Sequence, residues 1–155
     1  MPSHRRRCAL LELPEWQRPR PRCGFENWET NYAARIGLGV AVDYALSWGL
    51  EAIEARVTGL AERPRELLTS VEGVHVHDQG RRRCGIVTFT VDGVSAQKVQ
   101  QQLSSRGVNV SVSFVGYARL DLATRGLPDL VRASVHYYNT DDELDQLINA
   151  LAETG

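Results

Sequence analysis

The sequence predicts an α/β protein of the mixed, α+β kind. A small, mainly antiparallel sheet is covered on one face by helices. Three observations carry this. Apolar residues alternate with polar ones in four short runs (74–77, 85–91, 109–114 and 131–137), the period of a half-buried strand. Apolar residues recur at three- and four-residue spacing in three longer runs (50–70, 95–106 and 140–153), the period of an amphipathic helix. The 155 residues, 43% hydrophobic and 24% charged, suit one soluble domain with a real core.

Residues 1–24 stand apart. Six arginines face only Glu12 and Glu15, about +4 against a net −1 for the chain, so the rest is near −5. Arg18-Pro19-Arg20-Pro21-Arg22 excludes helix and favours an extended polyproline conformation. This reads as a disordered leader, non-native or preceding a start site inside a longer gene. A mitochondrial presequence or a basic RNA-binding tail is a weaker match, because prolines and glutamates interrupt one small cluster of arginines. Composition changes at Gly24-Phe25-Glu26-Asn27-Trp28-Glu29, and the domain boundary is placed at residue 25, giving a domain of 25–155.

Asn31 to Trp48 is helical and apolar on most sides (Ile36, Leu38, Val40, Val42, Tyr44, Leu46, Trp48), the pattern of a buried helix. Gly37 and Gly39 inside it then imply close backbone packing. After Gly49, the residues Leu50, Ile53, Val57, Leu60, Pro64 and Leu67 share one face of a second helix, while Arg65 is assigned to its outside. Pro64 lacks a backbone donor, so a kink or break is expected near Arg63.

Val74 to Asp78 is a short strand with His75 and His77 on one face. No third ligand is near, so no metal site is expected. Cys84 to Val91 is the second strand, with Val87, Phe89 and Val91 on one face and Ile86, Thr88 and Thr90 on the other. Cys8, Cys23 and Cys84 form no CxxC pair, which excludes a zinc ribbon or disulfide framework and fits a reducing, cytoplasmic setting. Ser95 caps a helix that runs to Arg106, with Gly107 ending it. This helix holds Lys98, the single lysine of the chain. Glutamines surround it, and nothing in sequence supplies the desolvation or neighbouring charge that would activate it. Val108 to Phe114 is the third strand. The loop Val115 to Pro128 is long for a compact domain and carries Tyr117, Arg119, Asp121 and Arg125, each within reach of a ligand in principle. Near-neutral charge gives no case for nucleic acid, and no apolar run reaches the roughly 20 residues of a membrane span.

The last strand and helix are the most informative. Val131, Ala133, Val135 and Tyr137 alternate with Arg132, Ser134, His136 and Tyr138. Thr140 and Glu143 form a capping box, followed by an apolar face of Leu144, Leu147, Ile148 and Leu151. The alternation puts Arg132 on the non-core face. A guanidinium held there can grip a carboxylate through two parallel hydrogen bonds.

Arg132-Ala133-Ser134, Tyr138-Asn139-Thr140 and Asp142-Glu143-Leu144-Asp145 resemble the C-terminal signature of the class V aminotransferases. These are fold-type I pyridoxal-phosphate (PLP) enzymes that include cysteine desulfurases and isopenicillin-N-epimerase-like proteins. The resemblance covers residues 25–153 and implies the C-terminal small domain of such an enzyme. It implies PLP as cofactor, an amino-acid-like substrate whose α-carboxylate binds Arg132, and a homodimer or a separate large-domain chain as partner. The family's Schiff-base lysine and cofactor-binding groups lie in the preceding large domain. The chain is therefore expected to be a truncated or split member, catalytically silent alone. Phe25 and Glu26 match a family segment near the subunit interface, where Gly24 replaces the usual arginine. The desulfurase branch carries a catalytic cysteine after the third strand. Here the residues are Ser111-Val112-Ser113-Phe114-Val115-Gly116-Tyr117-Ala118, which points to the aminotransferase or epimerase-like branch. The alternative from another class is a non-catalytic α/β ligand-binding or interaction module.

Overall fold

The computed structural model describes residues 31–153. The leader and the boundary placed at residue 25 lie outside the described residues. The elements, in order, are α1 (Tyr32–Trp48), α2 (Leu50–Ser70), β1 (Val74–Val76), β2 (Ile86–Val91), α3 (Ala96–Ser105), β3 (Ser111–Ser113), β4 (Leu130–Ser134) and α4 (Asp141–Ala152). The four strands form one sheet in the order β1-β2-β4-β3, every neighbour antiparallel.

One face of this sheet is the core. Val87 and Phe89 on β2 stand opposite Ala133 and Val131 on β4, and all four are buried. Over them lie Leu60, Ala61 and Leu68 of α2, Val99 and Leu103 of α3, and Leu144, Leu147 and Leu151 of α4. Removing each large side chain from water contributes about 1.5–3 kcal/mol. The α4 start is fixed as the sequence requires. Glu143 N–H donates to Thr140 Oγ1 (3.3 Å), and Thr140 N–H donates to the Glu143 carboxylate (3.0 Å). Hydrogen bonds to the Glu143 carboxylate from the Asn139 side chain and then from Thr140 N–H hold it below the ordinary glutamate range. Ser95 caps α3, and Gly107 at φ 79° turns the chain out of it.

Three expectations are corrected. The first concerns α2, which continues through Pro64 without a break. Pro64 is fully buried in the core, so packing offsets the lost backbone bond. The second concerns Arg65, which is 3% exposed rather than on the outer face. Ala61, Arg65 and Leu68 follow the inward spacing of α2, and position prevails over charge. The third concerns α1, which is helical but has no buried residue: Ile36 is 70% and Leu38 66% exposed. A Cβ added at Gly37 or Gly39 would meet nothing within 4 Å, so neither glycine is the packing contact expected. Apolar composition alone does not bury a helix; burial requires surroundings that enclose it.

Arg65 is buried because it finishes the sheet edge. His77 N–H donates to Thr88 O (2.8 Å), after which the chain leaves β2. Side chains then replace the missing strand. Asp78 Oδ1 accepts from Thr88 N–H (2.8 Å), and Arg65 Nη2 donates to the carbonyls of Ile86 (3.0 Å) and Cys84 (2.6 Å). The two side chains pair with each other through Arg65 Nε and Asp78 Oδ2 (2.7 Å). Buried backbone groups must find partners, and this ion pair supplies them.

Candidate functional site

The sheet face opposite the helices is built from alternate positions: His75 on β1; Ile86, Thr88 and Thr90 on β2; Leu130, Arg132 and Ser134 on β4; Ser111 and Ser113 on β3. Arg132 sits in a central strand. Thr88 is its register partner on one side and Ser111 on the other. The Arg132 side chain is exposed, and among the described residues its guanidinium makes no hydrogen bond or ion pair. Hydroxyl side chains surround it, at Thr88, Thr90, Ser111, Ser113 and Ser134, and no carboxylate stands on the strand positions of this face. The arrangement offers one free bidentate cation in a neutral, hydrogen-bonding surround, suited to a single carboxylate.

The loop after β3 borders the face. It contains one π-helical turn, Arg119–Ala123, whose Leu122 is buried together with Leu130, both outside the main core. Of its candidate residues, Arg125 is committed: it donates to His77 O (2.7 Å) and pairs with Asp121 (3.3 Å). Asp129 pins the loop start by accepting from Val115 N–H (2.9 Å). Tyr117 and Leu120 point outward, 92% and 96% exposed. Thr88, His77, Asp78, Asp121 and Arg125 line a cleft of about 280 Å³ beside the face. The two histidines form no metal pair. His75 bonds Asp92 (3.1 Å) and His77 bonds Thr90 (2.8 Å). Partial burial, with Arg125 and His75 nearby, pushes the His77 pKa down. Among the described residues no group of three or more metal-type ligands forms.

Lys98 is exposed on α3, the helix whose Val99 and Leu103 pack on the core face. It is therefore on the opposite side of the sheet from Arg132. Cys84 is exposed at the head of β2. The sequence patterns located Arg132 and its face. They missed the Arg65–Asp78–Thr88 network, although the four-residue step from Ala61 to Arg65 was its visible trace.

Beyond the chain's side chains, likeness to known proteins is extensive. A family profile described as "Aminotransferase class-V" matches residues 12–147. A probable cysteine desulfurase of Halobacterium salinarum is 35% identical over 146 residues, 94% of this chain and 33% of that protein. The solved apo structure of a cysteine desulfurase from Thermococcus onnurineus superposes with a TM-score of 0.78 at 26% identity, covering 89% of this chain and 34% of that one. A mutant of the protein C-DES, solved with glycine covalently linked to its PLP cofactor, shares the fold at a TM-score of 0.69, 23% identity, 84% of this chain and 31% of that one. The chain thus spans about a third of the length of the relatives it matches. Among the described residues no single helix is long and apolar enough to cross a membrane. With its signature in β4 and α4, its antiparallel sheet and these matches, the chain belongs to the class V aminotransferase family.

Proposed function

We propose that this chain supplies the substrate-carboxylate half of a PLP-dependent site, with Arg132 as the anchor, in a protein acting on an amino-acid-like substrate. The observation that supports it is the exposed guanidinium on a central strand, flanked by Thr88 and Ser111 and lacking a carboxylate among the described residues. The strand fixes where the side chain leaves the sheet, and the planar fork at its end matches a two-oxygen ligand.

The described residues do not offer PLP its covalent anchor. Lys98 is the single lysine, and it is solvated on the far side of the sheet. The remaining machinery belongs to a preceding large domain, in the same protein or in a separate chain, and a homodimer is the proposed assembly. Within the family the aminotransferase or epimerase-like branch is favoured over desulfurase. Residues 111–118 contain no thiol, and a desulfurase needs a nucleophilic sulfur at that point. The second reading, a non-catalytic ligand-binding or interaction module, draws on the uncovered apolar surface of α1.

The test combines two measurements on the purified chain. After incubation with PLP and removal of the unbound cofactor by desalting, no retained cofactor absorption band and no borohydride-reduced adduct by intact mass is the expected result. A stoichiometric adduct lost in Lys98→Ala overturns it. With acetate added, the Arg132 Nε–H resonance is expected to shift saturably in NMR spectra, and the shifts of neighbouring amides are expected to vanish in Arg132→Ala. Acetate binding that ignores Arg132→Ala removes the anchor role.

A further inference from the structure

We infer that Thr88 is a specificity-determining residue of this site: its hydroxyl oxygen accepts a hydrogen bond from a donor group adjacent to the carboxylate held by Arg132. The inference rests on the proposed role of Arg132 and adds to it.

A threonine hydroxyl has one proton and two lone pairs. In Thr88 the proton is committed, because Oγ1 donates to Asp78 Oδ1 at 2.7 Å. Asp78 is itself fixed: Oδ1 also accepts from Thr88 N–H (2.8 Å), and Oδ2 accepts from Arg65 Nε (2.7 Å). The Arg65 and Asp78 side chains are 3% and 8% exposed. Turning the hydroxyl away would strip a buried carboxylate of a partner, which is costly. Thr88 therefore presents only lone pairs to a ligand. On the other flank, Ser111 Oγ makes only a long contact with Arg132 O (3.4 Å), so its hydroxyl is not committed in this way and the polarity of the site rests on Thr88.

The result is a polarised row across three strands. Guanidinium donors stand in the middle, with the Thr88 acceptor on one register partner and the Ser111 hydroxyl on the other. Its complement is a carboxylic acid that carries an O–H or N–H on the neighbouring carbon. A plain carboxylate fills the guanidinium but leaves the Thr88 oxygen without its water and without a replacement donor. In this scheme Arg65 and Asp78 are positioning residues. They reach no ligand, yet they set which way the Thr88 hydroxyl points.

Glycolate and acetate are the test pair, alike in charge and differing by the adjacent hydroxyl. Each is titrated into the isotope-labelled full chain at constant ionic strength, following the Arg132 Nε–H and the Thr88 amide. Glycolate is expected to bind roughly two- to tenfold tighter, the range of one neutral hydrogen bond. Thr88→Val levels the two affinities, and Thr88→Ser, which keeps the oxygen, retains the preference. Equal affinities in the unmodified chain, a preference that survives Thr88→Val, or one lost in Thr88→Ser each overturn the role of Thr88 alone. No response of Arg132 to either anion overturns the anchor reading and this inference with it.

Discussion

Arg65 and Arg132 are the same side chain with opposite settings. Arg132 stands in solvent on the open face, and Arg65 is sealed at the β2 edge in four hydrogen-bonding contacts, with Asp78, Glu62 and two carbonyls. The difference decides what substitution does. Replacing Arg65 by methionine keeps the bulk but strands the Asp78 carboxylate and two carbonyls. Arg65→Met is expected to destabilise the fold by about 3–5 kcal/mol, read from urea denaturation. A loss below about 1 kcal/mol would show that water replaces the guanidinium freely. Arg132 was legible in the sequence because strand alternation fixes a face residue by residue. Arg65 was not, because a charged residue was assigned to the outside by its chemistry. Its partner Asp78 lies thirteen residues away across a turn, and no local pattern announces that meeting.

At the scale of elements, the signals that local chemistry controls were the readable ones. The Thr140–Glu143 capping box, the Ser95 cap and the four strands all stand where the sequence places them, although β3 and β4 are shorter than their alternating runs. Past Ser134 the chain is still linked to the sheet by Val135 N–H, which donates to Gly85 O at 2.6 Å. That link explains Gly85. A Cβ there would sit on the Val135 carbonyl oxygen and 2.6 Å from Val57 Cγ1 of α2. Backbone on one side and a helix on the other leave no direction for relief. Gly85→Ala is expected to cost about 1–3 kcal/mol or more, measured as a lowered midpoint in chemical denaturation. An unchanged midpoint would mean that β2 shifts without resistance. What the sequence could not convey was the continuity of α2. Proline's penalty is local and calculable, whereas the burial that offsets it depends on elements far along the chain.

For the whole molecule, the informative failure is α1. Its composition predicts burial, yet its apolar side chains are exposed. Apolar surface on this scale drives association in water. The purified chain is therefore expected to bind the dye ANS and to form larger species with rising concentration, followed by light scattering after size-exclusion chromatography. Ile36→Lys with Leu46→Lys is expected to reduce both. A monodisperse chain that binds no dye at any concentration would contradict this.

The strand order sets the timetable on which the sheet comes into being. Synthesis delivers β1, β2 and then β3, yet β2 and β3 are not neighbours; each waits for β4, which lies between them. Until Leu130–Ser134 has left the ribosome, the apolar side of β2 has one strand beside it and a vacant edge on the other. The strand that carries Arg132 is thus also the one that closes the architecture. The gap of more than forty residues between paired positions such as Thr88 and Arg132 makes that closure a long-range and comparatively slow event.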